Sequence, residues 1–94
     1  MMRTMRTRVF GSVLKTMRER AGLSQNQLAR LSGLDHSYLS RLESGQRHPS
    51  YDTVARLARV LARDRQEREL LFAVAGYVPP EAIIQWRDAA GKAA

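Results

Sequence analysis

No cysteine occurs anywhere in the 94 residues, so neither a disulfide framework nor a thiolate metal site can hold this chain together. A single modest core has to suffice, and a chain of this length with 44% hydrophobic residues suits one domain. The lack of thiols is compatible with a reducing cytosol. No stretch approaches the roughly 18 consecutive apolar residues of a membrane span. The basic stretch from Met1 to Arg8 is not followed by the apolar segment of a secretory signal. A cytoplasmic protein with no membrane partner is therefore expected. Histidine is scarce as well: His36 and His48 are the only two. They lie on either side of a loop, so they cannot build an isolated zinc site without recruiting carboxylates. There is no HExxH and no phosphate-binding glycine loop, and the carboxylates mostly sit among arginines. No metal, no cofactor and no catalytic residue are expected. Alternating β-branched runs longer than three residues are missing too, which argues against a sheet. There is no internal repeat.

Positive charge is what the chain has in excess. A net charge of +7 and a pI near 11.0 point to a polyanionic partner, with DNA, RNA and an anionic membrane all satisfying that requirement. The excess is N-terminal: Arg3, Arg6, Arg8, Lys15, Arg18 and Arg20 face one acid, Glu19, before Ser24.

Residues 1 to 8 carry no amphipathic stripe and read as a flexible basic arm. Phe10, Val13, Leu14, Met17 and Ala21 then recur at helical spacing, predicting a first helix over about 9–21 that stops at Gly22. Ser24 with Gln27 is a capping-box pattern opening a second helix over 25–32, with Leu28, Ala29 and Leu31 as its apolar positions. Gly33 ends it, Leu34 re-enters the core, and Asp35 caps a third helix over 36–43 containing Leu39 and Leu42. After the polar loop Ser44 to Pro49, Ser50 caps a fourth helix with Val54, Leu57, Ala58 and Leu61. Asp64 begins a fifth, with Leu70, Leu71, Val74 and Ala75, which ends at Gly76 and the pair Pro79-Pro80. Residues 81–90 could add a sixth, with Ile83, Trp86 and Ala90 on one side. That segment suits either a terminal helix folded on its own core or a dimer contact with Trp86 as anchor. The expected architecture is all-α, with five or six helices. It divides into an arm over 1–8, a domain over 9–78 and an extension over 79–94.

Two short helices crossing steeply need a small residue at the approach, a residue tolerant of positive φ at the turn and apolar side chains beneath. Ala29, Gly33 and the set Leu28, Leu34, Leu39 and Leu42 supply these. What remains outward on the third helix is His36, Ser37, Ser40 and Arg41, with Tyr38 at the border. These are groups able to hydrogen-bond base edges and phosphates.

At these residues the chain resembles the phage repressor and Cro type of helix-turn-helix, the Xre family, a lambda-repressor-like bundle. The motifs are Ala21-Gly22-Leu23-Ser24-Gln25, Leu28-Ala29, Gly33-Leu34, the run from Ser37 to Gly45, and Pro49-Ser50, all in order and at the right spacing. They span roughly Phe10 to Leu61. The stretch from Leu70 to Tyr77 resembles the fifth helix of bacterial regulators of this kind. The resemblance implies that Ser24 and Gln25 meet a DNA phosphate at a helix N-terminus. It implies that His36, Ser37 and Arg41 face the major groove, and that Gln46, Arg47 and His48 touch the backbone. Arg18 and Glu43 would form a partly buried ion pair joining the first and third helices. Arg41 is the best base reader, since a guanidinium can donate twice to guanine, with a phosphate contact as its alternative. Tyr38 suits packing or a phosphate better than a base. For His36 and Ser37, first-turn polarity has a purely structural explanation as well.

The expected partner is double-stranded DNA, bound as a homodimer on a palindromic operator with half-sites about 34 Å apart, and the expected outcome is repression. Other roles for the same fold stay open: an antitoxin whose protein partner is a toxin, a restriction-modification controller, or a scaffold that binds no DNA.

Overall fold

The computed structural model describes residues 5–79. Among these residues five helices follow one another: α1 (Met5–Arg20), α2 (Gln25–Ser32), α3 (His36–Glu43), α4 (Tyr51–Leu61) and α5 (Arg65–Ala75). No strand occurs among the described residues.

The helix ends follow from side chains that satisfy exposed backbone groups. Ser24 accepts from the Gln27 amide at 3.1 Å while Gln27 Oε1 accepts from the Ser24 amide at 2.8 Å, a complete capping box. Asp35, Ser50 and Asp64 cap α3, α4 and α5 through their side chains. At the turn between α2 and α3, Gly33 sits at φ 73°, the left-handed region where a side chain is strained. The Leu34 amide then reaches back to the Ala29 carbonyl at 2.9 Å and closes α2.

Packing joins α1 to α3 and α5, α4 to α5 and α2, and α2 to α3. Phe10, Leu14 and Met17 from α1, Leu28 and Ala29 from α2, and Leu39 and Leu42 from α3 enter one core. Val54, Leu57, Ala58 and Leu61 from α4 and Leu71, Phe72 and Ala75 from α5 complete it. Each fully buried large aliphatic side chain there contributes roughly 1.5–3 kcal/mol over an exposed one.

Several expectations need correction. The helix assigned to about 9–21 starts at Met5, so residues 5–8 are not arm but the first turn of α1, and Thr7 is buried there. Residues 1–4 lie outside the described part, as do the candidate sixth helix and the extension beyond Pro79. Ala21 is exposed because α1 has already ended at Arg20. Leu31 is 61% exposed and Leu70 48% exposed, while their neighbours Ser32 and Phe72 are buried in their place. Ser32 tolerates burial because its hydroxyl donates to the Leu28 carbonyl one turn back at 2.7 Å.

A further close helix approach, apart from the one at the α2–α3 turn, is not marked in the sequence pattern. It lies at Gly11 in the middle of α1, where an added Cβ would stand 2.5 Å from the Leu42 carbonyl oxygen and 2.7 Å from that of Glu43. Only the missing side chain lets α1 press against the end of α3 so closely.

Candidate nucleic-acid interface

The eight residues of α3 divide into an inner and an outer side. Leu39 and Leu42 are fully buried, and the first turn is fixed by Asp35, whose carboxylate accepts from the amides of Ser37 and Tyr38 at 3.0 and 3.3 Å. At the other end three donors converge on the Arg41 carbonyl: the amides of Gln46 and Arg47 at 2.9 and 3.3 Å and the Ser44 hydroxyl at 3.2 Å. Both ends of the helix are thereby pinned.

Glu43 is the inner anchor. Its carboxylate accepts from Arg18 Nε at 2.5 Å, Arg18 Nη2 at 3.0 Å and Gln25 Nε2 at 3.0 Å, while Arg18 Nη1 donates to the Leu23 carbonyl at 2.8 Å. The Arg18 and Glu43 side chains are only 11% and 4% exposed. The hydrogen bond to Glu43 raises the Arg18 guanidinium above its ordinary range against the opposing pull of burial. A carboxylate in the last turn of a helix is disfavoured by the helix dipole, so Glu43 is stable there because its charge is answered by Arg18. One carboxylate thus joins α1, the first residue of α2 and the last of α3. The amide nitrogen of Gln25 is committed to this tie, leaving its oxygen and the backbone of the α2 N-terminus for any outside partner.

The outer side is different. His36, Ser37, Ser40 and Arg41 are all exposed, and among the described residues their side chains have no hydrogen-bond or ion-pair partner. Ser40 also lines an open cleft with Ser44, Gln25, Glu43, Arg18 and Lys15. Lys15 was missed as a site residue by reasoning from the sequence. The available signal was its spacing of three from Arg18, which puts both on one face of α1.

Beyond α3 the loop residues separate. Gln46 and Arg47 are exposed, and the Arg47 guanidinium carbon lies 5.8 Å from the centre of the half-buried Tyr38 ring. His48, though exposed, is tied into the fold: Nδ1 is 3.1 Å from Thr7 Oγ1, and the ring lies 6.0 Å from that of Tyr77, whose hydroxyl donates to the Pro49 carbonyl at 2.8 Å. The N-terminus of α1 therefore abuts the α3–α4 loop, bringing Arg8 against Gly45.

A helix-turn-helix domain family model matches residues 9–71. The chain belongs to the helix-turn-helix domain family. Within that family, an HTH-type transcriptional regulator of Mycobacterium tuberculosis is 40% identical over 79 residues, covering 84% of this chain and 54% of that protein. The HTH-type transcriptional repressor RghR of Bacillus subtilis is 39% identical over 70 residues, 73% of this chain and 50% of its own. The chain thus spans about half the length of these relatives. Among solved structures, the restriction-modification controller protein C.AhdI from Aeromonas hydrophila superposes with a TM-score of 0.61 at 42% identity, covering 66% of this chain and 94% of that one. In helix-turn-helix terms α2 is the supporting helix, Gly33 the turn and α3 the second helix, whose outer side carries the polar groups that have no partner among the described residues. Among the described residues no helix is long and apolar enough to cross a membrane.

Proposed function

We propose that this helix-turn-helix chain is a sequence-specific double-stranded DNA-binding transcriptional regulator that does no covalent chemistry. The observation that carries this reading is the outer side of α3. Four polar side chains with no partner among the described residues stand on a helix whose two ends and inner side are tied down. A reading helix has to leave its donors and acceptors free while its backbone is held, because only groups without an internal partner are available to base edges.

In this reading Arg41 donates to a guanine, with His36, Ser37 and Ser40 adding contacts in the same groove. The Ser24 and Gln25 end of α2, together with Lys15, Gln46 and Arg47, meets phosphates. His48 acts from behind, buttressing the loop through Thr7 and Tyr77. One short helix reads few bases, so a symmetric dimer on a palindromic site gives the needed specificity, and occupancy of such a site represses.

The test is selection of bound fragments from random DNA, followed by competition against unselected DNA over a range of salt. A recovered palindrome, preferred over random sequence and bound with a steep salt dependence of about −0.9 per phosphate neutralised, is the expected result. Equal affinity for all sequences contradicts it.

A second, narrower reading is control of a restriction-modification system. It is favoured by the 42% identity to C.AhdI across 94% of that protein. A methyltransferase gene beside this one, with the selected palindrome in its promoter, is the outcome it requires.

A further inference from the structure

Tyr38 lies on the helix that the proposed function assigns to base reading, yet its hydroxyl faces away from that task. It is 3.2 Å from Thr53 Oγ1, and Thr53, 5% exposed, also receives a hydrogen bond from the Ser50 hydroxyl at 3.0 Å. Ser50 is itself fixed as the cap of α4, accepting from the Thr53 amide at 3.1 Å. The phenol is therefore the end of a hydroxyl chain anchored in the start of α4. A ring held at its hydroxyl end keeps one orientation, and the Arg47 guanidinium lies 5.8 Å from its centre. Stacking on an aromatic ring holds a cation electrostatically and removes rotamers from a long side chain. The Arg47 backbone is fixed as well, since its amide reaches the Arg41 carbonyl. No carboxylate competes for it: among the described residues Arg47 has no ion-pair partner.

We infer that Tyr38 is a positioning residue rather than a reader: anchored through Thr53 and Ser50, it holds the Arg47 guanidinium in place for a phosphate of the DNA flanking the groove that α3 enters. An arginine already ordered in the free protein loses less entropy on binding. Phosphate contacts set register without reading sequence, so the device strengthens binding to all sequences alike and keeps α3 in register with the bases. This inference rests on the DNA-binding reading, but its geometric half does not.

A double-mutant cycle on binding to a selected duplex tests it, with random duplex in parallel. Arg47→Ala should weaken both duplexes equally and lower the salt slope by about one. Tyr38→Leu should weaken both by about 2- to 5-fold in the wild-type background, the range of an exposed cation–π contact, and by nothing further in the Arg47→Ala background. Tyr38→Phe, which keeps the ring and cuts only the tie to Thr53, should fall between wild type and Tyr38→Leu. An undiminished Tyr38→Leu loss on the Arg47→Ala background overturns the positioning role, as does a loss confined to one base position. The second readout needs no DNA. In the free protein the Arg47 side-chain NH resonance should carry a ring-current shift that Tyr38→Leu abolishes. If that shift is present but the wild type binds no duplex even at low salt, the DNA-binding reading fails while the stack stands. If duplexes bind and the shift is absent, the positioning inference fails alone.

Discussion

Glu43 and Arg41 stand two residues apart on the same short helix, and both are charged, yet they occupy opposite situations. Glu43 is almost fully buried and answered by three donors from two other helices, whereas Arg41 is exposed and its guanidinium has no partner among the described residues. In the proposed DNA-binding reading, the difference separates scaffold from interface. A buried charge persists only where its partners are built into the fold, and a polar group with no internal partner is the one left for a ligand. Identity of side chain does not sort the two, but satisfaction does.

Substitutions on the two sides of α3 should act on different properties of the protein. The largest effect is expected for Glu43→Ala, which leaves Arg18 buried and unpaired. A destabilisation of about 3–5 kcal/mol should appear in urea unfolding, and a loss below 1 kcal/mol would move Glu43 off the scaffold. Gly11→Ala comes next, because its methyl group would press on the carbonyls of Leu42 and Glu43. A cost of about 1–3 kcal/mol by the same measurement is expected, without any change in base preference of the protein that remains folded. Arg41→Ala should do the reverse. Stability stays within about 0.5 kcal/mol of wild type, while discrimination at one base pair of the selected site falls by about 1–3 kcal/mol in competition binding.

The smallest effect concerns an ion pair outside this comparison of scaffold and reader. Glu67 accepts from the Arg63 amide at 2.9 Å, from Arg63 Nε at 3.1 Å and from Arg20 Nη2 at 2.8 Å. The bond from the Arg63 backbone, followed by the two side-chain bonds, holds its carboxyl down from 4.5 to about 2. A carboxyl lowered in the folded state stabilises above its unfolded value and loses that contribution as pH falls. Thermal unfolding followed between pH 4.5 and 2 should therefore show the advantage of wild type over Glu67→Gln shrinking toward zero. An advantage that grows with acidity contradicts the assignment.

Legibility in the sequence tracked local chemistry. The bounds of α2 and α3 could be read because Ser24, Gln27, Gly33 and Asp35 each act within four residues of where they stand. Where the deciding partner is distant, local pattern does not reveal it, and the Arg18–Glu43 tie is anticipated only through the family resemblance. The start of α1 at Met5 is not marked by an apolar stripe, and Thr7 is buried beside His48, 41 positions along the chain. Leu70 and Leu31 were read as core because apolar letters at helical spacing cannot reveal that their neighbours Phe72 and Ser32 face the other helices. Gly11 stands out in no sequence pattern, and only the approach of α3 explains it. The polar face of α3 was visible as residue types, whereas the absence of partners for those residues is a three-dimensional fact. The same holds for Tyr38, whose link to Thr53 joins two helices, and for Lys15, which shares a cleft with Ser40.

The most direct test of the central claim, that the outer side of α3 is the DNA-binding surface, is amide chemical-shift mapping of the chain titrated with its selected duplex. The account predicts that the perturbations concentrate on residues 24–25, 36–41 and 44–48, with Lys15 beside them. Perturbations centred instead on the far side of the bundle, around Leu70 and the exposed flank of α5, would contradict it.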